Sequence, residues 1–229
     1  MRKMNPEELK VAFVTNLENL KNFYISSNQI LLLDSQKTFQ VENSLLAVAV
    51  QWEGFINDLL IAYINRNPSR FALHLKNALE DQMSGKQKTI YQRYVTLSVP
   101  SHLKKADIQD IVDGSGNNIT FSNYQLLIDR AKTWLIPADA DKFSSRSKKE
   151  QAVVNALIAL RNHLAHRSER SLNAMNDALG KGELHSLKLK RGQNKVHHVG
   201  AYLKSKVTAA NITRFEVFLK ELSAVAKAL

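Results

Sequence analysis

The chain has 229 residues, no cysteine and a formal net charge of +11 at pH 7. Without cysteine, disulfides and thiolate zinc sites are excluded, and the charge excess argues for a polyanionic partner, nucleic acid first among them. Gly, at 8 residues, and Pro, at 4, are scarce, which favours helices over a sheet-rich fold with many tight turns. A chain of this length buries a substantial core. No repeat or low-complexity linker divides it, so a single all-α domain over residues 1–229, a helical bundle with long core helices, is expected. No stretch reads as long and apolar enough to cross a bilayer. The opening MRKMNPEELK lacks the apolar core of a signal peptide, and no helix combines a basic face with an exposed aromatic one. The expected location is the cytoplasm, away from membranes.

Asn5-Pro6-Glu7-Glu8 opens the first helix: Asn5 caps, Pro6 suits the first helical position and the acids complement the dipole. Val11, Val14, Leu17, Leu20, Phe23 and Tyr24 keep helical period to about residue 26, and Ile30 to Leu33 either continue that helix or join the next. The second helix spans about Thr38 to Asn65, stopped by Pro68. It carries two apolar stripes, Leu45-Val48-Trp52-Phe55-Leu59-Ala62 and Leu46-Val50-Glu53-Ile56-Leu60. Glu53 therefore sits on an apolar stripe, where an unpaired carboxylate is costly. Arg161 or a motif imidazole is its expected partner, in a chemical role or as a plain ion pair.

Residues 69–83 form a short amphipathic helix, and 84–120 read as an irregular insertion. Within it SGKQKT lacks the spaced glycines and Lys-Ser/Thr pair of a phosphate loop. Residues 91–99 are extended or helical, Ala106 to Val112 form a short helix, and DGSGNN at 113–118 forms a turn without a complete calcium-ligand pattern. Asn123 to Leu135 is a helix ended by Pro137, and ADADKFSS is a loop whose Asp139 and Asp141 are solvated acids. Ser171 to Leu179 is a helix ended by Gly180. The connection 181–206 is the most basic segment, a phosphate-tracking arm or a solvated loop, with partial alternation about Arg191-Gly192 that permits a small hairpin. Its Lys188, Lys190, Arg191 and Lys195, with Arg167, are the candidate phosphate contacts. A last helix covers about Asn211 to Lys227.

The stretch that concentrates chemistry is 147–168. Ser147 and Glu150 have capping-box spacing. An apolar run from Ala152 to Leu160, broken only by Asn155, predicts burial on most sides. Arg161, Asn162, His163, His166, Arg167 and Arg170 then close the helix. Asn162 and His166 are one turn apart on a shared face. The set combines a permanent cation, an imidazole that titrates near neutrality and an amide able to hold a polar atom or orient His166. His163 and His166 lack a nearby third ligand, so neither a metal site nor a cofactor is expected.

Arg161-Asn-His-Leu-Ala-His166 resembles the Arg-x4-His signature of the HEPN superfamily, all-helical proteins many of which are metal-independent ribonucleases. The Trp-Glu-Gly-Phe run at Trp52 to Phe55 looks like members of the same kind. The resemblance implies a HEPN-like bundle, catalytic roles for Arg161, Asn162 and His166 with support from Glu53 and His163, and a homodimer whose motifs meet at the interface. It also implies endonucleolytic RNA cleavage through the ribose 2′-hydroxyl, leaving 2′,3′-cyclic phosphate ends. Toxin and host-defence roles are common in the family, with an antitoxin or regulatory partner. Some toxins carry a Tyr two residues after the His that a partner nucleotidyltransferase modifies, and here Ser168 stands there. The competing expectation is a catalytically silent helical module that binds RNA or a protein, with Arg161 and Asn162 only pairing within the bundle.

Overall fold

The computed structural model describes residues 4–96, 98–112, 119–207 and 211–229. Among these the chain is all-α, as expected: α1 (Pro6–Ile30), α2 (Asp34–Arg66), α3 (Ser69–Glu80), α4 (Gly85–Tyr94), α5 (Lys105–Val112), α6 (Tyr124–Trp134), α7 (Pro137–Ser144), α8 (Lys148–His166), α9 (Glu169–Leu179), α10 (Val199–Lys204) and α11 (Arg214–Ala228). A 3-10 turn at Gly182–Leu184 and a lone bridge between Lys206 and Thr213 complete the regular structure.

Four local expectations are corrected. Residues 84–120 are not irregular throughout, because they hold α4 and α5. The Gln87 side chain returns to accept from the Ser84 amide at 2.9 Å, a cap that outweighs one Gly at the first helical position. The 113–118 turn lies outside the described residues. The ADADKFSS loop is instead the body of α7. Pro137 is its first residue, where a missing N–H costs nothing, and Lys142 pairs with Asp139 one turn back at 2.8 Å. Residues 181–206 form no hairpin among the described residues. Leu184, Leu189, Val199 and Leu203 are each 0% exposed, so the segment folds as turns and a short helix tucked into a core. Finally, α2 is long and apolar enough, by length and composition, to cross a bilayer, and 61% of its most apolar window is buried inside the protein.

The chain gathers into two compact units, and α2 supplies residues to both. The smaller comprises Met1–Glu7, Ile56–Ile119 and Gln125–Ser145. In it Phe71 meets Trp134 edge-on at 5.6 Å and Tyr63 meets Phe143 at 6.2 Å, geometries that add to burial of the ring faces. Buried Asn65 ties distant strands of chain together, accepting from the Met4 amide and donating to the Leu103 carbonyl.

The larger unit comprises Glu8–Phe55, Thr120–Tyr124 and Arg146–Leu229. Phe13 of α1 stacks on Phe55 at 4.5 Å and meets Trp52 at 5.8 Å, so the two α2 aromatics hold α1. The core helix α8 packs against α9, α11 and the 3-10 turn. From Gln151 to Leu164 it exposes no residue fully, which agrees with its almost unbroken apolar run. Asn155, the break in that run, accepts from the Tyr124 amide at 2.7 Å and so satisfies an otherwise orphaned helix-start donor.

Candidate functional site

The site grows from the two ends of α8. At its start the expected capping box forms: the Glu150 amide donates to Ser147 Oγ at 3.3 Å and the Ser147 amide to Glu150 Oε2 at 2.7 Å. At its end Arg167 takes a left-handed conformation, φ 50° and ψ 23°, and its amide donates to the His163 carbonyl at 2.8 Å. A side chain in that region costs about 1–2 kcal/mol, so something must hold it there. Glu42 of α2 does: its Oε2 accepts from Arg167 Nη2 at 2.7 Å and its Oε1 from the Gly200 amide at 2.9 Å. One carboxylate thus ties α2, the end of the motif helix and the start of α10.

A second acid on α2 meets the other arginine. Glu53 Oε2 lies 3.7 Å from Arg161 Nη2, and Arg161 Nη1 donates to Asn162 Oδ1 at 3.0 Å. The partner expected for Glu53 is Arg161. Asn162 orients the guanidinium, the neighbour on its own helix, and makes no hydrogen bond to His166. The Glu53–Arg161 pair is only partly screened, with side chains 24% and 31% exposed. Such a pair contributes at most about 1 kcal/mol to folding. Its consequence is geometric: the guanidinium is fixed from two sides at the end of a buried helix.

The two histidines separate cleanly. His163 is 6% exposed, and its Nδ1 lies 3.1 Å from Ser171 Oγ. The Ser171 hydroxyl also donates to the Ser168 carbonyl at 2.8 Å, so the ring joins the network that caps α9. Burial, reinforced by the Arg167 charge and opposed by Glu42, pushes the His163 imidazole below its usual value. His166, one turn on, is exposed and has no hydrogen-bond partner among the described residues. It is the imidazole free to meet a ligand.

A stability effect follows from His163. Unfolded, the ring titrates near 6.5; folded, it titrates lower. Between those two values the unfolded chain holds the extra proton, so stability rises with pH there and is fully present above about 6.5. The melting temperature is therefore expected to fall as pH drops from 7.5 to 5, and His163→Gln is expected to remove part of that slope. Identical slopes in the two proteins would show that His163 does not contribute.

The basic arm divides into structural and open cations. Arg191 donates through Nε to the Asn176 carbonyl at 2.9 Å and through Nη1 to the carbonyls of Gly192 and Gln193 at 3.1 and 3.0 Å. It is committed to shaping the turn. Lys195 donates to Asn173 Oδ1 at 2.9 Å. Lys188 stands at φ 60° and its carbonyl accepts from Arg214, while Lys188 and Lys190 are both exposed. Buried Asn176 pins the arm to α9, accepting from the Val196 amide at 2.7 Å and donating to its carbonyl at 3.1 Å.

Sequence reasoning missed Glu42, Ser171 and Gly200. The signal for Glu42 was present. It lies eleven residues before Glu53, about 20° from it around an ideal helix, and extends the Leu46-Val50-Glu53 stripe by one turn. Among the described residues no group of three His, Asp or Glu is placed to hold a metal. Comparison of the chain with models of known families, with curated proteins and with solved structures finds no match.

Proposed function

We propose that this chain is a metal-independent endoribonuclease of HEPN type that cuts RNA through the 2′-hydroxyl. The observation that carries the reading is that one helix end presents both a guanidinium with two neighbours and an open imidazole. Arg161 is held by Glu53 and Asn162, and His166 stands open to solvent. Cleavage needs a base for the 2′-hydroxyl, a cation for the phosphorane oxygens and an acid for the leaving 5′-oxygen. His166 is the side chain able to take up and give back a proton. Arg161 offers two N–H groups to the non-bridging oxygens. The 2′-oxygen displaces the 5′-oxygen, which takes a proton, and no water is consumed, so a 2′,3′-cyclic phosphate remains.

One chain supplies one such imidazole, and a homodimer supplies both base and acid. The α1–α2 hairpin offers a surface for it: an apolar groove of about 770 Å³ lined by Leu20, Phe23, Leu31, Phe39 and Ala47. Phe23 and Phe39, 63% and 73% exposed, give this groove an apolar rim that a second chain would cover. Arg167 contributes through the Glu42 tie, and Lys188, Lys190 and Lys195 give the arm a cationic face for the RNA backbone. A cytoplasmic toxin or defence role with a regulatory partner fits a nuclease of this kind.

The silent-module reading draws on the same pair, since Glu53 already occupies part of Arg161. Incubation with a mixed RNA pool in EDTA separates the two. Wild-type protein is expected to leave cyclic-phosphate ends and to spare DNA of the same sequence. Cutting of DNA, or full activity after His166→Ala, would refute the nuclease reading. Binding without cutting would favour the silent module.

A further inference from the structure

The smaller unit carries a second cationic surface, on α4, that the motif helix does not explain. The helix reads GKQKTIYQRY, with three cations and no acid. Its acidic neighbours are neutralised within the fold. Glu80, 6% exposed, accepts from Gln92 Nε2 at 2.7 Å and lies 3.6 Å from Lys76 Nζ and 3.9 Å from Lys88 Nζ. Asp81 pairs with the same Lys88 at 3.4 Å. These contacts anchor α4 to α3 through one side and leave Lys86 and Arg93 exposed on the other without a carboxylate partner.

Beside those two cations the helix is also aromatic, which corrects the expectation that no helix joins a basic face to an exposed aromatic one. Gln87, Tyr91 and Tyr94 follow at helical spacing with Ile90 beside them. With Met83 and Val95 they line a shallow cleft of about 530 Å³. Tyr94 is 73% and Ile90 59% exposed, and the Arg93 guanidinium lies 5.9 Å from the Tyr94 ring centre. An exposed phenol ring with an arginine beside it, next to a cleft edged by amides, suits unstacked bases on a phosphate backbone. An acidic peptide would use the charges but not the flat rings.

We infer that the exposed face of α4 is a binding platform for single-stranded RNA, with Tyr94 and Tyr91 stacking on bases and Arg93 and Lys86 meeting phosphates. The inference takes the identity of the polymer from the nuclease reading above, yet its chemistry is binding alone. Duplex RNA, whose bases are already stacked, fits this face poorly.

Fluorescence anisotropy of the full chain with a labelled 2′-O-methyl RNA 15-mer tests it, because that probe resists cleavage through the 2′-oxygen. Tyr94→Ala is expected to weaken binding about five- to a hundred-fold, and Tyr94→Phe to retain it. Arg93→Glu is expected to weaken it and Arg93→Lys to restore most of it, while the same sequence annealed as a duplex binds less tightly. Circular dichroism establishes that these surface variants remain folded. Equal binding by wild type and Tyr94→Ala, or equal loss in Tyr94→Phe and Tyr94→Ala, would overturn the platform. So would binding to anionic phospholipid vesicles, but not to the oligonucleotide, that depends on Tyr94 and Arg93. If α4 governs binding while unmodified RNA is never cut, the nuclease reading fails and the platform stands. If RNA is cut and binding is indifferent to α4, only the platform fails.

Discussion

In the proposed nuclease, His166→Ala is expected to lower RNA cleavage a hundred- to ten-thousand-fold, the usual loss when a placed acid or base is removed, while leaving the melting temperature nearly unchanged. The ring is exposed and makes no hydrogen bond among the described residues, so its removal leaves no buried group unpaired. The neighbouring histidine is the internal control. His163→Ala empties a buried position and strips Ser171 of a partner. That should cost about 1–3 kcal/mol of stability, and any loss of cleavage should track unfolding. Arg161→Ala should resemble His166→Ala in rate and cost little stability, because the Glu53 contact is long and partly solvated. Arg161→Lys should not restore the rate, because an ammonium cannot present a planar pair of donors to two phosphoryl oxygens. Single-turnover cleavage in EDTA, read beside thermal melts, distinguishes these outcomes. If His163→Ala abolished cleavage in a fully folded protein while His166→Ala did not, the two imidazoles would have to exchange roles.

The parts legible from sequence were those in which one local signal decides the structure. The capping box at Ser147 and Glu150 marked the start of α8, and the nearly continuous apolar run marked its burial. Glu53 on an apolar stripe required a partner, and Arg161 is there. The misreadings share a cause. Pro137 marks the stop of α6 by sequence, but the residue that ends one helix is also well suited to begin another, and α7 starts on it. Charge dominates the 181–206 segment in sequence, while its fold is set by interspersed leucines and by Asn176, a polar residue on another helix. An arginine in a basic run, as Arg191 is, suggests a phosphate contact. Its carbonyl partners lie both in its own turn and at Asn176, and no local pattern announces them. Glu42 and Gly200 are 158 residues apart, and only the packing of α10 on α2 brings them together.

That packing yields the largest expected stability effect at the site. A Cβ built on Gly200 would lie 2.5 Å from Thr38 Cγ2 and 3.2 Å from both Thr38 Cα and Glu42 Oε1. In an isolated helix Gly200→Ala would be favourable by about 1 kcal/mol. Here overpacking opposes it with a cost of about 1–3 kcal/mol. The obstructing methyl belongs to a β-branched side chain with few rotamers. Its hydroxyl already accepts from Lys204 Nζ at 2.8 Å, so the side chain cannot turn away freely. Gly200→Ala is therefore expected to destabilise the protein, and Gly200→Val more so. Relief by lifting α10 would stretch the Gly200–Glu42 bond and loosen the Arg167 cap behind His166, so cleavage should fall together with stability. Thr38→Ser tests the cause, since it deletes the methyl and keeps the acceptor for Lys204. In that background Gly200→Ala should become neutral or mildly stabilising, as the helix preference outweighs the remaining 3.2 Å contacts. Denaturant melts of the four proteins measure the coupling. Additive losses would mean that the methyl is not the obstacle and that the glycine answers to the Thr38 backbone or to Glu42 instead.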